Sequence, residues 1–102
     1  MLAINRFRVP VDAEGDFLAR AHEAVAFLAG CAGNAGAELV RNLDEPDLWC
    51  LVTRWAGVGA YRRSFNGFQA KVILVPLLSE AIDEPGAYDD PDAVGENLPR
   101  TR

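Results

Sequence analysis

One histidine, His22, and two cysteines, Cys31 and Cys50, are the whole supply of imidazole and thiol in 102 residues. The cysteines have no metal-ligand spacing and no companion histidines, so no metal is expected. HExxH, paired CxxC, an EF-hand loop and a P-loop are absent, and Gly57 and Gly59 make only a lone GxG. Ser64 and Ser79 stand in no nucleophile elbow, and only His22 could serve either as base. Positive charge is scarce: ten Lys and Arg stand against fifteen Asp and Glu, for a net charge of −5. That balance argues against nucleic-acid and acidic-membrane partners. No apolar run nears the roughly 20 residues of a spanning helix. Arg6 and Arg8, followed by Pro10 and acidic residues, do not fit a signal peptide. The expected location is the cytoplasm, with both cysteines as reduced thiols. Apolar neighbours should raise the Cys50 pKa rather than activate it.

Apolar residues are plentiful, at 50% of the chain. A chain this short makes one domain that buries only about two-thirds of its unfolded surface. Part of the excess is alanine, and a dimer interface is the natural place for the remainder.

The organising stretch is Leu48 to Tyr61, LWCLVTRWAGVGAY. Its first part has only Thr53 and Arg54 polar between Leu48 and Trp55. It is short, aromatic and β-branched, which reads as a strand buried on both faces. It breaks at Gly57 and Gly59 and passes into a helical pattern. Before it, Leu2 to Val9 alternate as a strand, with Ala3, Asn5, Phe7 and Val9 on one face and Leu2, Ile4, Arg6 and Arg8 on the other. Asp12 is the expected N-cap of a helix with Glu14 and Asp16 in its first turn. Phe17, Ala21, Ala24, Val25 and Leu28 form its apolar stripe. Gly30, Gly33 and Gly36 end it in a flexible loop. Ala37 to Leu43 is a second strand, joined through Asp44-Glu45-Pro46-Asp47 to the third as a hairpin.

From Val58 the pattern is helical, with a break at Asn66-Gly67. FQAKVILVPLLSEAI resumes as a very apolar helix in which Pro76 predicts a kink or restart near Val75. Ala87-Tyr88 can add a short edge strand. The domain is taken as residues 1–90, with a polar tail over 91–102, disordered or laid across a partner. The order β-α-β-β-α(-β) is the ferredoxin-like α+β arrangement, an antiparallel sheet with helices on one face. Leu2 and Ile4 lie on the uncovered face, and a second such sheet would cover it.

Trp55 and Tyr61 flank the strand-to-helix junction and carry polar tips. With Asn5, they suit a pocket for a flat hydrophobic molecule, walled by Phe7, Phe65 and Phe68. Each residue also has a plain structural reading. Trp55 and Tyr61 can be core aromatics, and Asn5 can bond to neighbouring backbone. His22, on the margin of its helix stripe, can be a boundary residue rather than a proton-transferring group.

INRFRV, the FLARAHEAVAFLA helix, ELVRNLDEPD, VTRWAGVGAYRRSF and VPLLSEAIDEPGAY together resemble the antibiotic biosynthesis monooxygenase family of the dimeric α+β barrel superfamily. The resemblance runs from about Leu2 to Tyr88. It implies a homodimer whose sheets form one barrel, with a pocket in each subunit. It also implies oxygen addition to a small phenolic or quinol-like aromatic without metal, flavin or haem, so no cofactor is expected. Trp55 and Tyr61 match residues with roles in such members. Asn5 would orient the substrate beside Trp55, Tyr61 would bond its oxygen, and His22 is a candidate for proton transfer. A haem-degrading branch shares an asparagine like Asn5. It needs an axial histidine and a tryptophan where this chain has Val72 and Ser64, which argues against haem. The competing reading is a non-catalytic dimer that binds a small hydrophobic metabolite.

Overall fold

A computed structural model describes residues 1–96. Its sheet is built from β1 (Leu2–Arg8), β2 (Asn34–Arg41), β3 (Leu48–Trp55) and β4 (Ala87–Tyr88). The order is β2-β3-β1-β4, and every pairing is antiparallel. The helices are α1 (Glu14–Ala29), α2 (Val58–Arg63), a π-helical segment (Ala70–Leu74) running into α3 (Val75–Leu78), and α4 (Pro91–Glu96). This is the ferredoxin-like α+β fold that the element order implies.

The pleat of the two central strands decides the layering. Ala3 and Phe7 of β1, and Trp49, Leu51, Thr53 and Trp55 of β3, are buried on one face. Phe17, Ala21, Ala24 and Leu28 of α1 cover them, with Leu74 and Leu77 of the last helical run in the same core. Truncating a residue as buried as Leu51, Leu74 or Leu77 to alanine costs about 2–5 kcal/mol. Within a single chain β3 is buried on one face only. Cys50 and Val52 are half-buried and Arg54 is exposed, because among the described residues no helix covers the second face.

Local chemistry moves several boundaries. Asp12 does not cap α1: Val11–Ala13 form a 3-10 turn, and no side chain caps either element. The Pro10 carbonyl accepts the Ala13 N–H at 2.9 Å and does that work instead. β2 begins at Asn34 rather than Ala37, so Gly36 lies in the strand. The Asn34 Oδ1 accepts the Gly36 N–H at 2.8 Å across a register shift, a side-chain turn that lets pairing start early. The strand also stops before Leu43. The Asn42 Oδ1 accepts the amides of Asp44 and Glu45, both at 2.8 Å, and the turn leaves Leu43 99% exposed.

The restart expected near Val75 is present, as the change from π to α winding. Pro76 has no N–H to offer the preceding turn, and the second position of a new helix is where that loss matters least. The segment from Pro91 is not wholly an irregular tail, since Pro91–Glu96 is α4. The rest of the expected tail, 97–102, lies outside the described residues. Among the described residues no helix is long and apolar enough to cross a membrane.

Two glycines separate backbone strain from crowding. Gly33 and Gly67 both have positive φ, +84° and +92°. A Cβ at Gly67 meets open space, whereas one at Gly33 would lie 2.5 Å from the Ala60 Cβ. We expect Gly67→Ala to lose only the left-handed penalty, about 1–2 kcal/mol in urea unfolding. Gly33→Ala should lose a further roughly 1–3 kcal/mol for overpacking. Adding Ala60→Gly should return the second part and not the first.

Candidate ligand-binding site

β3 delivers Trp55 to the end of the sheet, and extended Gly57 hands the chain to α2. α2 turns Ala60 into the core and leaves Tyr61 half-buried. The rings of Trp55 and Tyr61 meet edge-on with centroids 6.0 Å apart, and Tyr61 meets Phe65 edge-on at 5.1 Å. The Ser64 hydroxyl donates to the Tyr61 carbonyl at 2.6 Å and closes the end of α2. Trp55 is only 4% exposed, and its Nε1–H donates to the Thr53 Oγ1 at 2.8 Å. The indole N–H is therefore committed inside the protein, which explains a polar threonine on the buried face.

Beside this aromatic run lies a cavity of about 510 Å³. Met1, Val58 and Val94 give it apolar walls, Tyr61 and Tyr88 border it, and Arg62 and Asp89 supply charge. A shallower hollow of about 420 Å³ adjoins it and is bordered by Trp55, sharing Met1, Tyr88 and Asp89. Trp55 and Tyr61 thus touch each other but face two neighbouring hollows.

The other expected site residues are dispersed. Asn5 lies opposite Leu51 in the sheet and borders neither hollow. Its amide oxygen sits against the segment leading into β4, where a Cβ at Gly86 would lie 3.1 Å from Asn5 Oδ1 and 2.7 Å from the Ile4 carbonyl. Glycine is needed there for the Ile4 N–H to reach the Gly86 carbonyl at 2.6 Å. His22 is exposed on α1 and borders neither hollow. Phe7 borders neither hollow: it is 2% exposed and packs on Phe17, with centroids 5.2 Å apart. Phe68 is no wall either, because the turn at Gly67 leaves it 80% exposed. Phe65 packs behind Tyr61 but borders neither hollow. Sequence reasoning missed Arg62 and read Tyr88 only as an edge strand. The aromatic ending of EPGAY was the available signal.

Electrostatics sort the polar groups. Burial pushes the Tyr61 phenol above its ordinary value, so at neutral pH it is a hydroxyl that can donate. Burial raises the Cys50 thiol as well, against a smaller lowering by Arg6, and it raises Cys31. Neither is a poised thiolate. On the open sheet face Arg6 grips Glu84 through two hydrogen bonds, at 2.7 and 2.6 Å, and holds that carboxyl below its usual range. Among the described residues no three His, Cys, Asp or Glu side chains gather as a metal site. Val72 is exposed and has no donor atom for a metal, and the Ser64 hydroxyl is turned onto the Tyr61 carbonyl.

The family model for antibiotic biosynthesis monooxygenases matches residues 1–72. The chain belongs to that family. The match ends at Val72, so VPLL and the EPGAY ending lie beyond it. SnoaB, a cofactor-independent oxygenase from Streptomyces nogalater, has a similar structure, with 22% identity and a TM-score of 0.73 over 87% of this chain and 90% of that one. A conserved protein from Methanosarcina mazei Go1 has 17% identity and a TM-score of 0.70 over 84% of each chain. A haem-degrading protein from Mycobacterium tuberculosis, in its haem-free form, has 24% identity and a TM-score of 0.57 over 66% of this chain and 78% of that one. At these identities the structures establish the fold alone. No curated protein matches the chain.

The chain has two tyrosines, Tyr61 and Tyr88. Alkaline titration of tyrosinate absorbance should show a phase above the ordinary value of 10.0 that disappears in Tyr61→Phe. The linkage has a definite sign. The unfolded phenol ionises first, so the contribution of Tyr61 to stability is complete below about 10 and is lost as pH rises through the raised value. Tyr61→Phe should flatten that alkaline loss.

Proposed function

We propose that this protein is a cofactor-independent monooxygenase acting on a small aromatic or quinol-like compound, working as a homodimer. The observation that carries the reading is the half-buried, protonated Tyr61 hydroxyl. It borders a cavity of about 510 Å³ next to the Trp55 ring and makes no hydrogen bond among the described residues. Family membership and the likeness to a cofactor-independent oxygenase support the same class of reaction. An ionised phenol or quinol is electron-rich enough to reduce oxygen itself. One oxygen atom is added to the ring system, and the other leaves as water with the two hydrogens lost by the substrate. The protein binds, orients and shields the anion. Tyr61 donates to the substrate oxygen, and Trp55 sets the position of Tyr61 by its ring edge. Asn5 and His22, which a single chain places outside the cavity, are given no part in the step.

The homodimer reading rests on the second sheet face. Leu2, Ile4 and Val52 are half-buried there with no helix over them, and Val40 on β2 is 42% exposed. Face-to-face packing with a second sheet would take them out of water. A second functional reading, a binding protein without turnover, is favoured by one detail. Among the described residues the cavity's one carboxylate is Asp89, whose Oδ1 accepts the Asp90 N–H within its own chain.

Oxygen uptake with a panel of hydroquinones should be measurable for the wild type. It should fall about tenfold to a hundredfold in Tyr61→Phe and less in Trp55→Phe. Unchanged uptake in both variants would remove the catalytic assignment, and no uptake by any form would favour the binding protein. Haem titration should give no Soret shift. In sedimentation the wild type should run as a dimer and Ile4→Glu as a monomer.

A further inference from the structure

Among the described residues, Arg62 is the charged side chain of the cavity with no partner within the protein. It borders the cavity beside Tyr61, and among the described residues it makes no ion pair and no hydrogen bond through its side chain. The other arginines near charged groups behave differently. Arg6 is held by Glu84, Arg8 by Glu45 and Asp47, Arg20 by Glu80, and Arg41 by Glu14. Arg54 and Arg63 likewise show no ion pair among the described residues, but neither borders this cavity.

Asp89 lies in the same lining and would repel an anion if it faced the cavity unengaged. Its Oδ1 instead accepts the Asp90 N–H at 2.9 Å and lies 3.6 Å from the Met1 ammonium. The phenol of Tyr88 donates to the Pro85 carbonyl at 3.2 Å. Among the described residues, the side-chain donors of this lining left without a partner are the Tyr61 hydroxyl and the Arg62 guanidinium, on successive residues of α2. Around them Met1, Val58 and Val94 are apolar. Two donors, one cationic, in an apolar and aromatic surround recognise an oxygen that carries negative charge on a flat ring.

We propose that Arg62 is the specificity-determining residue of this cavity and that its ligand is a small aromatic compound carrying an anionic oxygen, a carboxylate or an ionised ring hydroxyl. This rests on the reading of the cavity as the substrate site and narrows the substrate class. An arginine fixed beside the bound oxygen also favours the ionised form of a phenol, the form in which such a substrate meets oxygen.

The test uses the full chain and matched probes: 2-naphthoate, the neutral 2-naphthamide, and 2-naphthol, with binding followed by calorimetry. At low salt the wild type should bind naphthoate about tenfold more tightly than naphthamide, with a gap that narrows as salt rises. In Arg62→Gln the gap should close while naphthamide affinity and thermal midpoint hold. Bound 2-naphthol should ionise at lower pH than free 2-naphthol in the wild type and not in the variant. A shift for naphthol without a preference for naphthoate assigns the ionised hydroxyl as the recognised group, and the reverse assigns the carboxylate. Equal binding of naphthoate and naphthamide together with no naphthol shift, or a gap that survives Arg62→Gln, overturns the proposal, as does failure of all three probes to bind. Anion preference without oxygen uptake would leave the proposal standing and remove only the oxygenase reading.

Discussion

The alternation of β3 is the constraint on which the rest of the structure depends. Trp49, Leu51, Thr53 and Trp55 must point one way, because a strand offers each successive side chain to the opposite face. A shift of one residue against β1 would send two tryptophans to the open side and bring Arg54 into the core. The register is therefore held firmly, with Asn5 opposite Leu51 and Phe7 opposite Trp49. The far end of β3 is held too. Arg41 lies over the Trp49 ring at 4.4 Å while its guanidinium reaches Glu14 on α1, so one side chain ties the hairpin to the helix. Once that strand is in place, Trp55 can end only at the sheet margin, and Tyr61 follows it through the Gly57 turn.

Periodicity made the frame legible. The apolar stripe of α1, the alternation of β1 and the turn chemistry before β3 each have a physical period that a sequence displays directly. The boundaries were less legible because side chains and single carbonyls set them. Asn34 extends β2, Asn42 cuts it short, and the Pro10 carbonyl takes the place expected for Asp12. Such bonds depend on where a chain already lies, and spacing carries no record of that.

The site was legible only in its centre. Trp55 and Tyr61 are in contact, as two aromatics across a strand-helix junction should be. Phe7 and Phe68 illustrate why the wall was not. An aromatic in a strand and one after a glycine look alike in a sequence, yet one is sealed under α1 and the other stands in solvent. Asn5 is on the expected side of β1 but half the length of a strand from Trp55. A cavity is a property of several elements at once, and two of its contributors, Tyr88 and Val94, come from a region with no periodicity to read.

That last point divides the chain into two kinds of inheritance. The portion that the family model matches, up to Val72, lays down three of the four strands and the aromatic pair. Tyr88, Asp89 and Val94, which close the cavity, come after it. A short run of residues at the sheet margin can thus be rewritten without disturbing any central pairing, so that one scaffold can be refitted to differently shaped molecules by altering its final stretch alone.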